Sequence, residues 1–280
     1  MIEVGKTHQL KIANFTSFGV YLDAETGNRK DNILLPKKEI PSGSGEGDSL
    51  EVFIYRDSEN RIIATTKVPY AQIGDLAYLK VTANTKLGAF LDFGLERGLF
   101  LPYSEQRYPL FIGKRYLVFL YLDKSGRICC TTDIYKHLSS DSPYGKNDKV
   151  KGTVYLKKLE TGVFVAVDNK YLGLIPNNEF FEDLMVGDVI QARVIKVRED
   201  GKLDLSTKDL SHKQMDTDSK ILYEAMLANN GLLPYDEKAS PDIIQRKFKM
   251  SKAAFKRAIG GLLKSKKISK TENGLRIIKK

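Results

Sequence analysis

The stretch Leu87–Gly94, LGAFLDFG, sets a glycine at the head of an apolar, strand-like run and an aromatic ring two positions later. The same text occurs twice more, as FGVYLDAE over Phe18–Glu25 and TGVFVAVD over Thr161–Asp168. Aligned, Gly19, Gly88 and Gly162 coincide, and so do the rings Tyr21, Phe90 and Phe164. Recurrence at a fixed spacing is the mark of an internal repeat, in which each copy is one structural unit.

On either side of that stretch the copies agree along their whole length. Each opens on a turn residue followed by alternating apolar positions: GKTHQLKI from Gly5, GDLAYLKV from Gly74 and NDKVKGTV from Asn147. The pattern returns later in each copy as GDSLEVFI from Gly47, GKRYLVFL from Gly113 and GDVIQARV from Gly187. The middle of each copy ends at a proline, ILLP at Pro36, LFLP at Pro102 and GLIP at Pro176. The closing segments are RDSENRIIATTK (Arg56–Lys67), LDKSGRICCTTD (Leu122–Asp133) and VREDGKLDLSTK (Val197–Lys208). The chain therefore reads, up to position 212, as three copies of roughly 70 residues, the size of a small domain.

Each copy offers five short runs of period-two or β-branched character, separated by Gly, Pro, Asn and Asp, which is the signature of antiparallel strands. Five short strands have edges to hide, and closure into the partly open five-stranded barrel of the OB fold hides them. Gly19, Gly88 and Gly162 then fit a sharp bend or bulge where the sheet curls. The ring beside the bend has two readings: a core or barrel-end residue, or a platform on which a nucleic-acid base stacks. A core needs volume but no ring in particular, so three rings in register favour stacking.

The order of strand, Gly-x-aromatic, GL(I/F), GD with alternating apolar residues, and a D-x-x-G-R turn resembles the S1 RNA-binding domain over about three quarters of the chain. Three such copies with the tail described below resemble the conserved virulence factor B family of bacterial S1-domain RNA-binding proteins. The resemblance implies a mainly β chain with a small α/β domain. Three tandem S1-like OB-fold β-barrels (1–68, 69–142 and 143–212) precede a C-terminal winged helix-turn-helix (217–280). It also implies RNA contacts at two aromatics, at a histidine after the third strand, and at an acid and a base around the last turn. Carried over, these are Phe18, Tyr21, Asp57 and Arg61 in the first copy; Phe90, Asp123 and Arg127 in the second; and Phe164 and Lys202 in the third. Leu87 and Thr161 replace the first aromatic, Arg198 replaces the third acid, and Pro36, Pro102 and Pro176 occupy the histidine position. Asp and Gly favour hairpin turns whatever they bind, and edge-strand charges also block aggregation, so a structural role for the turn residues stays open. Tyr103 and Tyr155 are weaker candidates for the same face, whereas Phe53, Tyr116 and Phe119 read as core.

From Thr217 the hydrophobic period lengthens. DSKILYEAMLANNG places Ile221, Leu222, Ala225 and Met226 at helical spacing, and Asn230-Gly231 stops the helix. Ser240 followed by Pro241, and then Ser251, are start signals for two more helices. The last of these has Ala254, Phe255, Ala258, Ile259, Leu262 and Leu263 on one side. A hairpin turning at Asn273-Gly274 follows. This order is that of a winged helix. Thr217–Lys280 holds 15 Lys and Arg against 6 Asp and Glu, nearly all of the chain's +10. The excess points to phosphate contacts by Arg246, Lys247, Lys249, Lys252, Lys256 and Arg257, with Lys264, Lys266 and Lys267 as wing lysines.

Other chemistry finds little support. GKT at Gly5–Thr7 lacks the upstream glycine of a phosphate loop, and GSGEGD at Gly43–Asp48 leads into a strand instead of a helix. His8, His137 and His212 stand far apart; Glu182-Asp183 reads as a solvated acidic pair; and Cys129-Cys130, adjacent in a strand, read as isolated core thiols. The expectation is a cytoplasmic, non-enzymatic protein with no cofactor, no metal and no membrane span. Its expected partner is single-stranded RNA, with duplex nucleic acid as a further ligand of the winged helix. The competing readings are a protein adaptor docking on ribosomal or degradative machinery, supported by the near-neutral β-region, and a DNA-binding transcription regulator.

Overall fold

The computed structural model describes residues 2–180, 183–208, 211–271 and 274–278. It divides into two compact units, Met1–Thr207 and Lys208–Lys280. In the first unit each repeat closes into a five-stranded barrel. The first barrel is built of β1 (Thr7–Phe15), β2 (Gly19–Leu22), β3 (Ile33–Pro36), β4 (Ser49–Arg56) and β5 (Ile62–Thr65), in the spatial order β1-β2-β3-β5-β4. β3 and β5 run parallel while the other neighbours run antiparallel, which is the OB-fold connectivity. The second barrel repeats this with β6 (Leu76–Asn84), β7 (Gly88–Leu91), β8 (Leu99–Pro102), β9 (Arg115–Leu122) and β10 (Ile128–Thr131). The third uses β11 (Lys149–Lys158), β12 (Gly162–Val167), β13 (Tyr171–Pro176), β14 (Val189–Val197) and β15 (Leu203–Ser206).

Alternation along these strands makes the cores. In the first barrel Leu10 and Ile12, Val20 and Leu22, Ile33 and Leu35, and Val52 and Ile54 all point inward. Each such side chain contributes about 1.5–3 kcal/mol by leaving water. Phe53, on the opposite face of β4, joins the core of the second barrel and meets the Phe93 ring edge-on at 6.0 Å. The first two barrels are further tied by Glu96, which accepts from Lys38 at 2.8 Å and Lys67 at 3.1 Å.

The repeated glycines answer to a different constraint from the expected bulge. The register shift lies on the preceding strand, between Ile12 and Asn14, Val81 and Ala83, and Val154 and Leu156. Gly19, Gly88 and Gly162 instead open β2, β7 and β12 directly opposite Pro36, Pro102 and Pro176. A Cβ there would come within 3.0 Å of the carbonyl oxygen of Leu35, Leu101 or Ile175. The prolines lead into single helical turns, Lys37–Glu39, Tyr103–Glu105 and Asn177–Glu179. There the closing TT or ST pair finds its purpose. Thr66 Oγ1 donates to the Glu39 carbonyl at 2.9 Å and Thr132 Oγ1 to the Glu105 carbonyl at 3.0 Å, while Thr207 N donates to the Glu179 carbonyl at 3.1 Å.

The second unit holds α1 (Ser211–Ala228), β16 (Leu232–Leu233), α2 (Pro241–Phe248), α3 (Lys252–Lys264), β17 (Ile268–Thr271) and β18 (Gly274–Ile277). Ser240 and Ser251 cap α2 and α3 as their positions imply, each side chain accepting from the backbone N–H three residues on. Leu222, Met226, Ile244, Phe255, Ile259 and Leu275 lie in one core. Three readings change. α1 begins at Ser211, before the apolar period that marked its start, because a helix propagates through polar residues once packing fixes one end. Ile221 is 41 % exposed and lies outside the buried stripe. A two-residue strand, β16, pairs with β18 and makes the sheet three-stranded. Asn273 of the hairpin turn and Glu182 of the acidic pair lie outside the described residues.

Candidate nucleic-acid interface

In every barrel the second, third and fifth strands set three outward-pointing positions side by side. The rows are Tyr21, Leu34 and Ile63; Phe90, Phe100 and Cys129; and Phe164, Leu174 and Asp204. The repeated ring thus begins a row across the sheet, and what surrounds that row differs from barrel to barrel.

In the first barrel Phe18 is 56 % exposed and stands edge-on to half-buried Tyr21, their centroids 6.3 Å apart. Asp57 and Arg61 flank the last turn but hold each other. Asp57 Oδ2 accepts from the Arg61 guanidinium at 2.7 and 2.8 Å, and Oδ1 accepts from the N–H groups of Glu59 and Arg61. Burial alone would raise the Asp57 carboxyl; these hydrogen bonds outweigh it and hold the group below its ordinary value. Arg61 is also paired with Glu59 at 2.8 Å.

The second barrel is more open to a ligand. Phe90 and Phe100 lie 5.2 Å apart, and Leu87, in the first-aromatic position, is 77 % exposed. Asp123 Oδ1 organises the turn, accepting from the N–H groups of Ser125 and Arg127 and the Ser125 hydroxyl at 2.7–3.0 Å. Its carboxyl too is held down by these bonds against the opposing effect of burial. Among the described residues Oδ2 accepts only from the Cys129 thiol, at 3.8 Å. That thiol is pushed up to about 11, by burial first and then by the Asp123 charge, so it stays protonated and unreactive near neutrality. Arg127 makes no ion pair among the described residues and keeps its guanidinium exposed. These side chains line a groove of about 890 Å³, one wall of which is Tyr55, Arg56, Asp57 and Ser58 of the first barrel.

The third barrel has different surroundings, because the connection from β10 packs against it. Ser139, in the connection from β10, donates its N–H to the Lys170 carbonyl at 2.8 Å and accepts from the Leu172 N–H at 2.9 Å. Ile134 and Leu138 pack with Leu117, Tyr155, Ala166 and Leu172, and Phe164 and Phe119 lean on that cluster. Phe164 meets the Tyr155 ring at 6.2 Å and Lys158 Nζ at 5.6 Å. Lys202 is paired with Asp200 at 2.7 Å and lies 5.9 Å from the Tyr135 ring. Arg198, in the acidic position, is tied to Asp204 at 2.6 Å. Tyr155, a weaker candidate for the face, is buried at 2 % exposure, whereas Tyr103 is open at 54 %.

The structure therefore gathers Phe90, Asp123 and Arg127 into one groove with Asp57, keeps Phe18, Tyr21 and Arg61 on the first barrel, and packs Phe164 against the connection. Phe100 was missed, although its place in LFLP, aligned with Leu34 and Leu174, was the signal that could have found it. In the second unit Arg246, Lys247, Lys249, Lys256 and Arg257 are exposed and Lys252 is half-buried at the start of α3. Lys247 Nζ lies 5.5 Å from the Tyr235 ring. Lys264 is the last residue of α3, and Lys266 and Lys267 lie in the turn before β17, so these three exposed lysines precede the wing hairpin and are not part of it. Among the described residues no group of three His, Cys, Asp or Glu could hold a metal ion, and no helix is long and apolar enough to cross a membrane.

Family models match nearly the whole chain. An S1 domain is matched at residues 4–67 and 73–133, the second domain of virulence regulatory factor CvfB at 136–209, and a CvfB-like winged helix domain at 220–277. A Bacillus subtilis (strain 168) relative, Uncharacterized protein YitL, is 33% identical over 280 residues, 96% of this chain and 92% of its own. Conserved virulence factor B of Staphylococcus epidermidis (strain ATCC 12228) is 29% identical, covering 81% of this chain and 79% of its own. A crystal structure of a multidomain protein with nucleic acid binding domains from Streptococcus pneumoniae superposes with a TM-score of 0.52 at 27% identity, covering 98% of each chain. Barrel connectivity, domain order and these likenesses agree, and the chain belongs to the conserved virulence factor B family.

Proposed function

We propose that the protein binds single-stranded RNA on the outward rows of the first and second barrels and acts in the cytoplasm as a non-enzymatic regulator of transcript fate. The observation that supports this reading is the open second-barrel groove, where two adjacent rings form the floor and an arginine with no ion pair among the described residues stands at the rim. Bases stack on rings at about 1–3 kcal/mol each without regard to sequence, and free cations meet the phosphates. The exposed basic residues on α2 and α3 add phosphate contacts, to the same strand or to a duplex segment of it. The test is anisotropy of a labelled, unstructured RNA of roughly 20 nucleotides across a salt series, with duplex DNA of equal length alongside. Micromolar or tighter RNA binding, with weaker duplex binding, is expected. No binding at low salt refutes the reading.

A second reading rests on a separate observation. Phe111 and Met185 line another groove of about 540 Å³, between the second and third barrels, and are 61 % and 62 % exposed. Exposed apolar side chains grouped in this way suit a protein partner and support the adaptor function. Met185→Glu is expected to abolish capture of such a partner without changing RNA affinity.

A further inference from the structure

The groove between the first two barrels is more than a stacking surface. Resting on the single-strand reading above, we infer that it is a selective pocket for one RNA base that carries an amino group on its pairing edge. The floor, Phe90 and Phe100, is apolar and faces the first barrel's Ser58 turn across the gap, so a base entering there meets a ring on one side and a wall on the other. The rim carries Lys86, Arg97 and Arg127, all exposed and none in an ion pair among the described residues. Apolar floor and cationic rim match a nucleotide held base inward with its phosphates at the mouth.

Selectivity comes from Asp123. Its Oδ1 is fully used by the turn, but among the described residues Oδ2 is met only by a thiol at 3.8 Å, so Asp123, which lines the groove, keeps an acceptor with spare capacity. An ionised carboxylate accepts and never donates. It bonds the exocyclic amino group of cytosine, adenine or guanine and repels the carbonyl oxygen that uracil presents where cytosine carries its amino group. The other barrels lack this device. Asp57 Oδ2 is taken by Arg61, and the third barrel has Arg198 at the position, bound to Asp204.

The experiment compares labelled oligocytidine and oligouridine of roughly 12 nucleotides, a length OB folds span, on the full-length protein. Wild type is expected to bind oligocytidine roughly tenfold more tightly, the worth of one hydrogen bond to a charged group. Asp123→Asn keeps an oxygen for the turn but offers an N–H₂ in place of Oδ2, so the preference is expected to vanish or invert, oligocytidine binding falling roughly tenfold towards the oligouridine level. Ser58→Trp, at an exposed turn, fills the groove and is expected to weaken oligocytidine binding at least as much. Equal binding of both oligomers, or a preference untouched by Asp123→Asn, overturns the pocket while leaving the single-strand reading intact. Failure of both oligomers to bind wild type overturns both.

Discussion

The close approach at the repeated glycines can be taken apart with single alanines. Gly162 combines two constraints: φ of +132°, where side chains are strained, and a Cβ position within 3.0 Å of the Ile175 carbonyl oxygen. Gly19 has the crowding, from the Leu35 carbonyl, without a positive φ, and Gly43 has φ of +85° with nothing within 4 Å of its Cβ position. Backbone strain of this kind costs about 1–3 kcal/mol. Forcing a methyl into packed structure costs a similar amount. Gly43→Ala is therefore expected to lose about 1.5 kcal/mol and Gly19→Ala about 2, while Gly162→Ala loses about 3.5, close to their sum. With no tryptophan and several cooperative units in the chain, amide hydrogen exchange read on peptides from each barrel is the suitable assay. A loss of that size speeds exchange in β12 and β13 by about 300-fold. Gly260→Ala in α3, with open space around its Cβ position, provides the opposite sign, a gain of about 0.5–1 kcal/mol confined to the second unit. A cost at Gly162 no larger than at Gly43, or a neutral Gly19→Ala, would refute the close-approach argument.

The other expectations concern the candidate interface and its supports. Phe100→Ala and Phe90→Ala should each weaken RNA binding by about 1–3 kcal/mol. Phe164→Ala should leave affinity unchanged and instead lower the stability of the third barrel by about 2 kcal/mol, measured by the same exchange experiment. If α3 contacts phosphate, Lys256→Ala and Arg257→Ala should each reduce the log–log salt slope of RNA binding by about 0.7, and an unchanged slope removes α3 from the interface. The Glu96 carboxyl is held down to about 2 from 4.5 by hydrogen bonds from Lys38 and Lys67. Its contribution is complete above the ordinary value and is lost as pH falls from about 4.5 towards 2, so Glu96→Gln should flatten the acid dependence of the urea midpoint in that window. An identical acid limb in the variant would refute this assignment.

Much of the architecture is legible because backbone constraints recur in the text. Gly opposite Pro and Thr closing on a Glu carbonyl recur in all three copies, and Asp opening a five-residue turn in two, and each demands particular residues, so the copies announce one topology. Helix caps at Ser240 and Ser251 are legible for the same reason. The unread parts depend on contacts between distant residues. Ser139 pairs with β13 through its backbone alone and leaves no trace in composition. Nor does any local signal separate Phe164, turned towards Tyr155, from Phe90, which faces a groove. The start of α1 and the two residues of β16 lacked an apolar period to mark them. Within the interface the ring and turn positions could be named from the repeat, but that Asp57 pairs with Arg61 while Asp123 makes no ion pair with Arg127 among the described residues could not, because both copies carry the same Asp and Arg four residues apart.

The threonine-to-glutamate clasp has a consequence for how such a chain assembles. Three barrels closed by the same chemistry are interchangeable parts, and the last strand of one could in principle complete another. What opposes the exchange is distance along the chain. Thr66 and Thr132 each reach a glutamate 27 residues upstream, whereas Glu39, the clasp of the first copy, lies 93 residues upstream of Thr132. Loop-closure entropy favours the shorter loop by only about 1 kcal/mol. Faithful assembly therefore rests on each barrel closing before the next closing strand is available, which synthesis from the N-terminus provides and refolding of the full-length chain from denaturant does not.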